Sequence, residues 1–121
     1  TFSGGEECAY DFQTQKRAIL VGDTTGGGAN PGDDVAIGDG FFAFIPTGRS
    51  INPVTGTNWE HVGVKPDIAV PAKDALKTAY AAALKAMIPG KTNPDELAYF
   101  EKTLARVEAG LPGTPVYSVG P

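Results

Sequence analysis

The sequence predicts an α/β fold, a mixed sheet flanked by helices, on three observations. A capping signature at Ser3 opens a helix, and the uninterrupted apolar run Ala18-Ile19-Leu20-Val21-Gly22 follows at once. Such a run is the pattern of a strand covered on both faces, as in parallel or mixed sheets packed between helices. β-prone segments punctuated by turns fill the middle of the chain, and two segments of helical periodicity close it.

In Ser3-Gly4-Gly5-Glu6 the hydroxyl can accept from an early backbone N–H while the glutamate reaches back to the cap, so a helix is expected from about Gly4 to Gln15. Cys8 and Phe12, four apart, form its expected inner stripe. Lys16 and Arg17 put positive charge where the helix dipole ends negative. The segment from Asp23 to Gly40 holds six glycines and one proline and is expected to be a long loop with one turn of its own. Phe41 to Ile45 is β-prone, Pro46-Thr47-Gly48-Arg49 is a turn, and Ser50-Ile51-Asn52 is expected to return as the second strand of a hairpin. After a turn-rich link to Asn58, Trp59 to Val64 and Ile68 to Val70 read as extended pieces. Between them, Pro66 forces its predecessor out of helical geometry.

From Ala72 to Met87, Leu76, Ala79, Tyr80, Ala83, Leu84 and Met87 recur at helical spacing, and Pro89-Gly90 closes the run. Asn93-Pro94-Asp95-Glu96 combines a cap, a proline at the first helical position and a capping-box glutamate. The helix it starts runs to Gly110 with Leu97, Phe100, Leu104 and Val107 along one side. The tail from Leu111 to Pro121 carries three prolines and is expected as an extended strap.

Composition narrows the function. Among 121 residues, 41% apolar with 20% charged is ordinary globular composition, enough for one compact domain. Ten basic against fourteen acidic side chains, with no Lys/Arg run, exclude a nucleic-acid partner and favour a peptide or small-molecule substrate. No apolar stretch is long enough for a membrane span. The single cysteine, Cys8, excludes an intrachain disulfide and reads as a small buried helix residue.

Three blocks carry a resemblance. The first is Thr1-Phe2-Ser3-Gly4-Gly5-Glu6, and the second is Arg17-Ala18-Ile19-Leu20-Val21-Gly22-Asp23-Thr24-Thr25. The third is Ile45-Pro46-Thr47-Gly48-Arg49-Ser50-Ile51, continued by Trp59-Glu60-His61-Val62-Gly63-Val64-Lys65-Pro66-Asp67-Ile68. No block is specific alone, but in this order and spacing, from Thr1 to about Leu84, they resemble the tail-specific (C-terminal processing) serine proteases, peptidase family S41. The resemblance implies a ClpP/crotonase-like layered fold built from ββα units, of which this chain is the C-terminal half. Residues 1–90 then form the C-terminal portion of the catalytic domain, and residues 91–121 a helix and tail packing on it. It also implies an exported enzyme without metal or organic cofactor, acting on proteins or peptides.

In the family's Ser/Lys branch the lysine aligns with Gly28, and no lysine occurs from Val21 to Asn52. The chain is therefore more similar to the tricorn-like and interphotoreceptor retinoid-binding branch, which pairs the serine with a histidine from earlier in the domain. The resemblance makes Ser3 the nucleophile, Gly4 an oxyanion donor through its amide, and Glu60 the carboxylate that orients the base. The base and a second oxyanion donor are expected upstream, so the fragment alone is expected to be inactive. Physical chemistry suits Ser3 to its part: a serine hydroxyl needs a base and fixed donors to attack a carbonyl, and helix-start amides point outward with positive partial charge. The bland alternatives are a plain helix cap at Ser3 and a solvated strand-edge glutamate at Glu60.

His61 is the only histidine. Adjacent residues of an extended strand face opposite sides, so if Glu60 turns toward Ser3 then His61 turns away and is a surface residue. Gly26-Gly27-Gly28 lacks the Gly-Lys-Ser/Thr ending of a phosphate loop and reads as a flexible loop. Trp59, Phe41 and Phe42 read as β-strand core. The strand at Ala18 to Gly22 is expected to lack a neighbour, an apolar edge that invites the missing N-terminal half or a second copy. A non-catalytic module for apolar, retinoid-like ligands on the same framework is the alternative function.

Overall fold

The computed structural model describes residues 1–111 and 113, so nearly all of the expected tail strap lies outside the described residues. The fold is mixed α/β in two compact units, residues 1–69 and the segment beginning at Val70. The first unit holds α1 (Gly4–Thr14), β1 (Val21–Gly22), β2 (Gly32–Gly38), β3 (Phe41–Pro46) and β4 (Ile68–Ala69). The second holds α2 (Ala72–Met87), a 3-10 turn (Ile88–Gly90) and α3 (Pro94–Glu108). No helix among the described residues is long and apolar enough to cross a membrane.

The three helices start and stop where local chemistry dictates. At the end of α1, Lys16 takes a left-handed φ of 54° and the Arg17 N–H closes back on the Phe12 carbonyl at 2.8 Å, sealing the last turn. Asn93 caps α3 through its side chain, which accepts from the Asp95 and Glu96 amides. The inner stripe of α1 differs from the expected one. Cys8 and Phe12 are exposed, while Glu6, Ala9, Tyr10 and Gln13 turn inward. Hydrogen-bonding tips decide this phase: the Tyr10 hydroxyl meets Thr55 Oγ1, and Gln13 Nε2 donates to the Lys65 carbonyl and to Asp67. Glu6, Tyr10 and Gln13 are spaced four and three apart, one face of the helix.

The sheets depart further from expectation. Instead of one mixed sheet, the described residues form two separate two-stranded pairs, β1 with β4 in parallel and β2 with β3 antiparallel. Of the run Ala18 to Gly22 only Val21–Gly22 pairs, and Ile19 is exposed rather than covered on both faces. The Leu20 amide goes to the Asp67 carboxylate at 2.7 Å, and Pro66 has no amide with which to extend the ladder. β2 lies inside the expected long loop, and β3 pairs with it rather than with Ser50-Ile51-Asn52. Asp39 and Gly40, at φ 50° and 79°, form a turn with both central residues left-handed, the geometry that matches strand twist in a tight hairpin. Phe41 and Phe42 are exposed and not core. Trp59 to Val64 is a turn rather than an extended piece, since the Val62 and Gly63 amides both close on the Trp59 carbonyl.

The core of the first unit is Ala29, Trp59 and Val64, packed against Ala9, Tyr10 and Leu20. The Tyr10 and Trp59 rings meet at 5.3 Å. Burying an indole withdraws roughly 200 Å² from water, an upper limit of about 5 kcal/mol, so Trp59 is the main apolar anchor of the loops around it. In the second unit α2 and α3 pack on each other, with Leu84 and Val107 buried. The expected stripe of α2 is used in part: Leu76, Tyr80 and Met87 remain exposed.

Candidate active site

Ser3 is the N-cap of α1 and has φ 54° and ψ −128°, a conformation unfavourable for a residue with a Cβ. The residue is exposed to solvent. Its amide is shared between the Gly28 carbonyl and Glu6 Oε2, each at 3.0 Å, and its carbonyl accepts the Glu6 and Glu7 amides. The Gly5 amide closes on the Phe2 carbonyl at 3.3 Å. The Gly4 amide, at the first helical position, has no hydrogen-bond partner among the described residues. A methyl group built on Gly4 would meet nothing within 4 Å, so the space beside this amide is open.

Two carboxylates clamp the loop that runs beside Ser3. Glu6 is fully buried and accepts from the Thr25 hydroxyl, the Gly27 amide at 2.7 Å, the Gly28 amide at 2.9 Å and the Ser3 amide. Glu60 Oε2 accepts the Ala29 amide at 2.7 Å and the Asn30 amide at 2.8 Å. Four consecutive N–H groups, Gly27 to Asn30, are thus divided in pairs between two glutamates. The carbonyl side of the loop is occupied as well: Gly28 accepts Trp59 Nε1 at 3.3 Å, and Gly27 accepts the His61 amide at 2.9 Å. Gly26-Gly27-Gly28 is pinned on both sides rather than a flexible loop.

The electrostatics follow from these bonds. Burial pushes the Glu6 carboxyl up, but the Thr25 hydroxyl and the Gly27, Gly28 and Ser3 amides outweigh it, so its pKa falls below the ordinary value. The Ala29 and Asn30 amides pull Glu60 down in the same way, against a smaller opposing effect of partial burial. Glu60 Oε1 stands 3.7 Å from His61 Nε2. It borders an open depression of about 590 Å³ that Arg49, Asn58 and His61 also line, so a base can approach it from solvent.

The Gly27–Asn30 loop links the two predicted positions: the Gly28 carbonyl accepts the Ser3 amide, and the adjacent Ala29 amide donates to Glu60. His61 has an exposed side chain, as expected, but for a different reason. It sits in a turn at φ 63°, not in an extended strand, and so its ring lies on the same side as the Glu60 carboxylate. The sequence reading missed two residues, Glu6 as more than a cap and Thr25 as its partner. A carboxylate three residues after an N-cap, in a chain with a Thr-Gly-Gly-Gly loop to supply donors, is the signal that could have found them. The model of a protein family, Peptidase family S41, matches residues 1–70, the segment that contains Ser3, Glu6, Thr25 and Glu60.

Proposed function

The chain belongs to peptidase family S41, and from that premise we propose that it hydrolyses peptide bonds of proteins or peptides through an acyl-enzyme on Ser3. Ser3 Oγ attacks the scissile carbonyl while a histidine from earlier in the domain takes its proton, and the tetrahedral oxyanion forms against the Gly4 amide. The same histidine then returns the proton to the leaving amine, and water repeats the sequence to free the acid. Glu60, its Oε2 fixed by two amides and its Oε1 accessible, orients that histidine and stabilises its charge. This assignment puts the chain with the tricorn-like members of the family, on a ClpP/crotonase-like layered fold.

One observation carries the reading: a solvent-exposed serine at a helix start, in a strained backbone conformation, beside an unpartnered amide and open space. A sharp, strained turn into a helix that presents a serine to solvent is a recurrent solution for nucleophiles. The test is labelling of the full-length protein with a fluorophosphonate probe, together with peptide turnover. Ser3→Ala is expected to abolish labelling and to lower kcat by at least about 10⁴-fold, and Glu60→Gln to lower it less. Labelling that survives Ser3→Ala contradicts the assignment of the nucleophile, and wild-type turnover in Glu60→Gln removes Glu60 from the mechanism.

A further inference from the structure

We propose that Glu6 is a positioning residue for the nucleophile, acting through the backbone of Ser3 and not through contact with substrate. The inference rests on the reading of Ser3 as nucleophile and goes beyond it. A glutamate three residues after an N-cap needs a single bond, to the cap amide, to complete its capping role. Glu6 makes that bond and three others, to Thr25, Gly27 and Gly28. Its Oε2 bridges the Ser3 and Gly28 amides, so one oxygen ties the helix entrance to the loop.

The backbone of Ser3 requires such support. A residue with a Cβ leaves the conformation at φ 54° and ψ −128° unless its surroundings over-determine it. Its amide is held from two directions, by the Gly28 carbonyl and by Glu6. Relaxation of Ser3 toward an ordinary conformation would re-aim Oγ and rotate the peptide that carries the Gly4 amide, separating nucleophile from oxyanion donor. Glu6 is fully buried, so it has no surface to offer a substrate.

Thr25 extends the device. Its hydroxyl donates to Glu6 and its Oγ1 accepts the Val64 amide at 2.7 Å, joining the helix entrance to the turn that bears Glu60.

The test uses the full-length protein and a fluorophosphonate probe, with labelling at Ser3 located by mass spectrometry and resolved into the maximal rate of labelling and the probe's binding constant. In Glu6→Gln the amide nitrogen faces donors where an acceptor stood. The maximal rate is expected to fall about tenfold to hundredfold, the scale of a misplacement near 1 Å, with the binding constant within about twofold. Thr25→Val, which loosens Glu6 without touching Ser3, is expected to show a smaller loss of the same kind. A folded Glu6→Gln that labels at the wild-type rate overturns the proposal. If Glu6→Gln does not fold, Thr25→Val decides: a slower rate with unchanged probe binding supports it, and a wild-type rate overturns it. Wild-type protein that carries no label at Ser3 defeats the nucleophile assignment itself, an outcome distinct from equal rates, and this proposal falls with it.

Discussion

At the scale of single residues, Ser3 and Glu6 oppose each other energetically. A non-glycine residue at φ 54° and ψ −128° costs about 1–3 kcal/mol, which the hydrogen bonds of Glu6 and Gly28 must offset. Ser3→Gly and Ser3→Ala both lose the hydroxyl, but only glycine relieves the Cβ. After allowing for the greater freedom of glycine in the unfolded chain, Ser3→Gly is expected to be the more stable of the two by about 1 kcal/mol. Thermal melts of the pair check this, and equal melting points would mean that the strain is no larger than the entropic cost of glycine. The glutamates set the acid limit. Both have folded pKa values below the ordinary 4.5, so the unfolded chain binds protons first as the pH falls. Their stabilisation is complete above about 4.5 and is lost as pH drops through the lower folded values. The melting temperature is expected to decline from pH 5 toward pH 3, and less steeply in Glu6→Gln. A decline identical in variant and wild type would show that Glu6 is not responsible.

At the scale of elements, the turn from Trp59 to Val64 holds the site in place, and its tolerance to change is specific. Gly63 has φ 69°, and a Cβ there would stand 2.2 Å from the Thr25 carbonyl oxygen. Backbone cannot move aside without disturbing Thr25 and through it Glu6, so Gly63→Ala is expected to cost at least about 3 kcal/mol. A Cβ on Gly26 would come equally close, 2.2 Å, to the tip of the Phe2 ring. That ring is exposed and can swing away, so Gly26→Ala is expected to cost less than half as much. Urea unfolding of the two variants discriminates the cases, and the reverse order would contradict the argument. The helices were legible in sequence because their signals are local: the capping residues Ser3 and Asn93, the periodicity from Ala72 to Met87 and the stops at Lys16 and Gly110. The strands were less so. Asp39-Gly40 is the strongest hairpin signal in the chain, and it pairs β2 with β3 where a long loop and a different partner for β3 were expected.

At the scale of the whole molecule, the two units differ in what stabilises them. The first gathers loops around Trp59 and two glutamates that accept backbone amides, whereas the second is a helix pair in which Leu84, Thr103 and Val107 are the buried side chains among the described residues. Two helices of 16 and 15 residues are marginal on their own. A separately made segment of residues 70–121 is expected to be partly helical and to melt broadly by circular dichroism; a sharp, cooperative transition would contradict this. By itself the sequence determined the α/β class, the helix limits and the order of motifs around Ser3 and Glu60, because caps, periodicity and motif spacing are properties of neighbouring residues. Tertiary structure alone decided that Glu6 is a buried hub as well as a cap, that Gly27 to Asn30 surrender four successive amides to two carboxylates, and that Glu60 and His61 share a side. The reason is physical: a carboxylate withdrawn wholly or partly from water takes whatever donors the fold brings within 3 Å, and here those donors come from segments about twenty to thirty residues away along the chain.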